Sequence, residues 1–199
     1  MRMWVWAAAA ILAATLSAQD TRTSSSLERS FAANGSVRMD LVAGDYRITG
    51  SPDDRVRLDW SVREPEALAK VRARAEVRDR ELSITTDGPS NKGLKFTIKV
   101  PTQTDLHVRL SAGDLTIEDV RGNKNVELRA GDLRIDVGRA EDYNKVDASL
   151  WAGDIKAAPF SVSKGGLFRS FDWTGSGPYR LHARLLAGDL HLYSKAETR

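Results

Sequence analysis

The 199-residue chain has no cysteine, only three histidines, and a formal net charge of just +3. The first absence removes disulfides, thiol catalysis, thiolate metal sites and lipid attachment at a cysteine. The near balance of 30 basic against 27 acidic side chains removes nucleic acid as an expected partner. His107, His182 and His191 all fall at outward positions of the alternation described below. They form neither a Ser–His–Asp arrangement nor a metal-ligand spacing, so no cofactor or metal is expected. Helical signal is also scarce. Residues 65 to 76 are the one segment that fits it, and the reading taken there is a helical turn followed by a strand.

The apolar stretch Trp4 to Leu16 lies between Met1-Arg2-Met3 and Ser17-Ala18-Gln19-Asp20. It is shorter than the roughly 20 residues that a membrane span needs. A leading Arg, an Ala-rich run and small residues before a polar start describe a secretory signal peptide. Cleavage after Ala18 is expected, leaving no stable membrane span and an exported chain in the periplasm, outside the cell or on its surface. Charged residues at 29% and hydrophobics at 41% are ordinary for one globular domain.

One short phrase ending in Ala-Gly-Asp occurs five times, at Gly44-Asp45, Gly113-Asp114, Gly131-Asp132, Gly153-Asp154 and Gly188-Asp189. Each copy is preceded by alternating apolar residues, such as Leu106, Val108 and Leu110, and followed by others, such as Leu115 and Ile117. Period two on both sides marks strands with one buried face. Across Ala-Gly-Asp the inward positions jump by three rather than two, so the strand bends or bulges there. Glycine adopts positive φ at such a corner without steric cost, and Asp can bond neighbouring amides.

The middle three copies lie 18 and 22 residues apart, a length suited to one coil of a solenoid, and the outer gaps of 69 and 35 leave room for insertions. The expected fold is therefore all-β, a parallel β-solenoid or β-helix-like stack of short strands with about five Ala-Gly-Asp corners. The expected organisation is a signal peptide over 1–18, a flexible linker over 19–30 and one domain over 31–199. Within that domain 31–100 is less regular and 101–192 carries the regular rungs.

The stretch Ile98-Lys99-Val100-Pro101, then Leu106-His107-Val108, then Gly-containing rungs at short intervals, resembles the bacterial DUF4097 family of adhesin-labelled proteins. The resemblance covers roughly residues 31 to 192. It implies export or envelope association, a parallel β-helix, and adhesion without a defined catalytic site, so no residue role is carried over. The Asp after every Gly is more regular than the family leads one to expect.

Stacked aspartates about 4.8 Å apart repel one another. A calcium ion would relieve this, but the denser Gly-Gly-x-Gly-x-Asp pattern of calcium solenoids is absent. Turn-forming aspartates are the preferred reading. Polysaccharide-cleaving β-helices place carboxylates across an exposed face; here the acids hold equivalent corner positions, so no catalytic residue is assigned. Lys70, Arg72, Arg74, Arg78 and Arg80 form a basic stripe, interrupted by Glu76, Asp79 and Glu81 and read as a solvated face.

The segment from Pro159 to Tyr179 is rich in aromatics and glycine. It reads either as a cap on an open sheet end or as a binding loop, with Trp151 beside it. The expected function is a non-enzymatic, adhesin-like module presenting its surface to an envelope protein or glycan through Trp151, Phe168, Phe171 and Trp173. A structural or stress-sensing envelope protein with a membrane signalling partner is the alternative. A carbohydrate-active enzyme is a weaker one.

Overall fold

The structure, a computed structural model, describes residues 23–89 and 93–195; the expected signal peptide and its cleavage site lie outside them. The chain opens with β1 (Ser24–Ser30), β2 (Gly35–Leu41), β3 (Asp45–Ser51) and β4 (Arg55–Ser61). One helical turn, α1 (Pro65–Leu68), precedes β5 (Arg72–Arg78), β6 (Glu81–Asp87) and β7 (Lys95–Pro101). Then come β8 (Thr104–Ala112), β9 (Leu115–Glu118), β10 (Lys124–Ala130) and β11 (Leu133–Asp136). The longest strand, β12 (Tyr143–Ala157), is followed by β13 (Val162–Thr174), β14 (Tyr179–Ala187) and β15 (Leu190–Tyr193). Ser24–Ser30, read from sequence as linker, is thus a strand, and it pairs with β4.

All of these strands belong to one mixed sheet, in the order β1-β4-β7-β3-β9-β11-β15-β12-β14-β10-β8-β2-β6-β5, with β13 joined to β12. The two end strands, β1 and β5, pack against each other, so the sheet wraps into a nearly closed barrel shape around a common core. This corrects the expected parallel solenoid. Pairing is antiparallel at β1–β4, β4–β7, β5–β6 and β12–β13. Spatial order also departs from chain order: β14 inserts between β10 and β12. The segment from Pro159 to Tyr179 holds a hairpin strand, β13, antiparallel to β12, after which β14 runs parallel to β12. Period-two alternation fixes which face of a strand is buried, but it is silent on neighbour and direction, and antiparallel and parallel strands share it.

Inward residues align across the sheet. Leu41, Leu110, Leu128, Leu185 and Leu150 are all buried and occupy one register row. Burying such a leucine contributes about 1.5–3 kcal/mol. Two aromatic clusters pack in the core. Tyr46 stacks on Phe96 at 4.9 Å beside Trp60. In the other, Phe160 lies 5.0 Å from Trp173, 6.2 Å from Phe171 and 6.5 Å from Tyr143.

The five Ala-Gly-Asp phrases stack in the order Gly44, Gly113, Gly131, Gly188, Gly153. The amides of Gly44, Gly113, Gly131 and Gly188 donate to Ala112, Ala130, Ala187 and Ala152 carbonyls at 2.9–3.1 Å. A Cβ on Gly131 would collide with the Gly113 carbonyl, and one on Gly153 with that of Gly188. Backbones approach here more closely than any side chain allows, and φ at Gly113, Gly131, Gly153 and Gly188 is 111–136°. The aspartates lock the same column. The Asp114 carboxylate accepts the Asp132 amide at 3.2 Å, Asp132 accepts that of Asp189 at 3.1 Å, and Asp189 accepts that of Asp154 at 3.0 Å.

Candidate ligand-binding surface at the β13 bend

At its last member, the corner column meets β13. Here β13 follows β12 round the corner in antiparallel register, with Ala152 opposite Leu167, Gly153 opposite Gly166 and Asp154 opposite Gly165. A Cβ on Gly165 would lie 2.6 Å from the Asp154 carboxylate, which explains the glycine. Gly166 turns with φ 107°, as the corner glycines do. Two residues on, Phe168 also has positive φ, 53°, although it is a bulky L-residue. Such a conformation costs on the order of 1–3 kcal/mol.

The Phe168 ring gains little burial in return. It is 72% exposed, and its ring contact is with Trp151, itself 53% exposed, edge-to-face at 5.9 Å. Trp151 and Leu186 occupy one outward row, each just before its corner alanine, and both are exposed. Leu167 is exposed as well. Trp151, Phe168 and Leu186 thus present apolar surface on the outside of the corner.

Of the four contact residues expected from sequence, Trp151 and Phe168 form this outer pair. The other two belong to the interior: Phe171 is only 5% exposed, and Trp173 is half-buried over Phe160. The segment therefore turns Phe171 and Trp173 to the core and Phe168 to solvent. The alternation in β13 carries that division, since Phe171 and Trp173 share a parity that Phe168 does not.

Two cations that the sequence reading passed over complete the bend. Arg169 donates from Nε to the Gly165 carbonyl at 2.6 Å, and Lys164 donates from Nζ to the Ser170 carbonyl at 2.8 Å. With Gly165, Phe168 and Ser170 they line an open depression. Their signal was the interruption of an aromatic, Gly-rich run by Lys and Arg, but only the bend brings residues 164 and 170 together.

Other polar groups serve the fold. The Lys124 ammonium is buried and donates to the Tyr143 hydroxyl at 2.9 Å and the Gly122 carbonyl at 3.3 Å. Burial pushes its pKa down to about 8, against the opposing pull of Asp136, Asp105 and Asp142. Burial likewise pushes the Tyr143 hydroxyl up. Buried Asp136 accepts the amides of Gly138 and Lys195. His182 donates from Nδ1 to Asp147 on the outer face. Arg72, Arg74 and Arg78 stand exposed on the end strand β5. Among the described residues, no group of three His, Asp or Glu side chains is placed to hold a metal ion, and no helix is long and apolar enough to cross a membrane.

No family model and no curated protein matches this chain. Solved structures do. A "putative cell adhesion protein" from Clostridium sporogenes superposes with a TM-score of 0.57 at 15% identity, covering 86% of this chain and 100% of that one. A "putative adhesin" from Bacteroides fragilis aligns at 13% identity over 86% of this chain and 98% of the other, with a TM-score of 0.34. At such identities the likeness is one of fold: the chain shares its all-β architecture with the Clostridium protein.

Proposed function

We propose that this chain is an exported, non-enzymatic, adhesin-like binding module of the bacterial envelope, with Trp151 and Phe168 as its contact residues. The partner is an envelope protein or glycan. The DUF4097-like spacing of the repeats and the fold shared with the Clostridium "putative cell adhesion protein" support the class. Phe168 carries the site. Every corner glycine with positive φ answers a backbone demand, whereas Phe168 holds positive φ at 72% exposure with its ring against Trp151, itself exposed. Strain retained at an exposed aromatic is accounted for by contact with something outside the chain.

The test is a photo-crosslinking residue in place of Phe168 in the producing cell, read by mass spectrometry. A discrete intermolecular adduct, reduced by Trp151→Ala in a folded protein, is the expected result. Crosslinks confined to the same chain would overturn the reading.

A further inference from the structure

We infer that the ligand at the β13 bend is an acidic polysaccharide, its anionic group seated between Lys164 and Arg169 and a sugar face laid on Phe168. This rests on Trp151 and Phe168 being the contact surface. Both cations retain unused donors. The Lys164 ammonium has three N–H groups, one of them directed to Ser170, and Arg169 gives Nε to Gly165 while its terminal amino groups remain. Among the described residues neither side chain has a carboxylate within ion-pair distance, in contrast to Arg47, Arg57 and Arg139. The two carbonyl contacts hold the pair over the depression beside Phe168. A guanidinium fork with an ammonium beside it matches carboxylate or phosphate geometry.

The bend also argues against a peptide. Among the described residues β13 is paired only with β12, and an open strand edge is where an extended peptide would add. That addition needs a regular run of free backbone groups. Here the carbonyls of Gly165 and Ser170 are already taken by cationic side chains, and positive φ at Gly166 and Phe168 breaks the strand. These are devices that blunt an edge. What the bend does offer is side-chain chemistry: an exposed ring face beside paired cations.

The experiment titrates the chain with four polymers: polygalacturonate, a phosphorylated mannan, neutral dextran and poly-L-glutamate. It compares the unmodified chain with Lys164→Gln/Arg169→Gln, Phe168→Gly, and the distant Arg72→Gln/Arg74→Gln. We expect saturable binding to at least one acidic glycan polymer and none to dextran. That binding should weaken at least tenfold in the first two variants and hold in the third. Which polymer binds separates a carboxylate from a phosphate source.

No binding to either acidic glycan polymer overturns the inference. So does equal weakening by the Arg72/Arg74 variant, or poly-L-glutamate binding as tightly. Binding that needs Phe168 but ignores Lys164 and Arg169 would overturn the acidic ligand while leaving the contact surface standing.

Discussion

The corner column and the β13 bend turn a strand over the same edge of the barrel, yet they are built by opposite rules. In the column, glycine amides meet alanine carbonyls, and from Asp114 to Asp154 a carboxylate of one copy caps an amide of the next. In the bend, glycine opens the turn at Gly166, but an exposed Phe168 holds the next strained position and Lys164 and Arg169 cap the carbonyls. One is repeated because stacking demands it. The other departs from the repeat where stacking ends and solvent begins.

The column should be the harder of the two to alter. Gly131→Ala sets a Cβ against the Gly113 carbonyl at φ 126°, and should cost about 3 kcal/mol or more, read as a fall in urea midpoint. Gly138→Ala is the control, since its φ is 66° but nothing lies within 4 Å. It should cost only about 1 kcal/mol. If the two variants are alike, close approach is not what the column requires.

A pH titration shifts the background on which both regions are compared. The Lys124 pKa falls from its ordinary 10.5 to about 8 in the folded chain. Between those values the unfolded chain binds more protons, so stability rises with pH through this window. The gain is on the order of 3 kcal/mol. Above about pH 10 the trend reverses, because burial raises Tyr46 to about 12 and the unfolded chain ionises first. Lys124→Met should flatten the rise between pH 8 and 10 in denaturant melts. A flat profile in the unmodified chain would place the ammonium in water.

Asp132→Ala removes the acceptor of the Asp189 amide and should cost about 1–2 kcal/mol. The equivalent change at Asp154, whose carboxylate lies against Gly165 at the end of the column, should cost less. Equal losses would mean that the ladder works through charge rather than capping. The smallest effect is the most telling. Phe168→Gly should leave thermal stability unchanged or raise it by up to about 1 kcal/mol, relief of strain outweighing the lost Trp151 contact. A clear loss of stability would make Phe168 a structural residue like those of the column.

Much of the column was legible in the primary structure. Five copies of Ala-Gly-Asp, each flanked by period-two apolar residues, marked the buried faces, and the phase jump located the turns. Two things were not legible. The corners stack in the order 44, 113, 131, 188, 153, which no spacing reveals, because β14 reaches its place only after the antiparallel return of β13. The four aromatics of the expected site were named together, but Phe171 and Trp173 face the core while Trp151 and Phe168 face out. Composition had grouped them, and only strand parity separates them.

The sequence by itself determined the all-β class, the buried faces and the five turning points. Those depend on local sterics and on apolar periodicity, which act within a few residues. Tertiary structure decided the mixed, nearly closed sheet, the strand order and the pairing of Lys164 with Ser170 at the bend. Those depend on which strands meet across distant stretches of chain, and alternating strands are interchangeable in that respect until hydrogen bonds and packing choose among them.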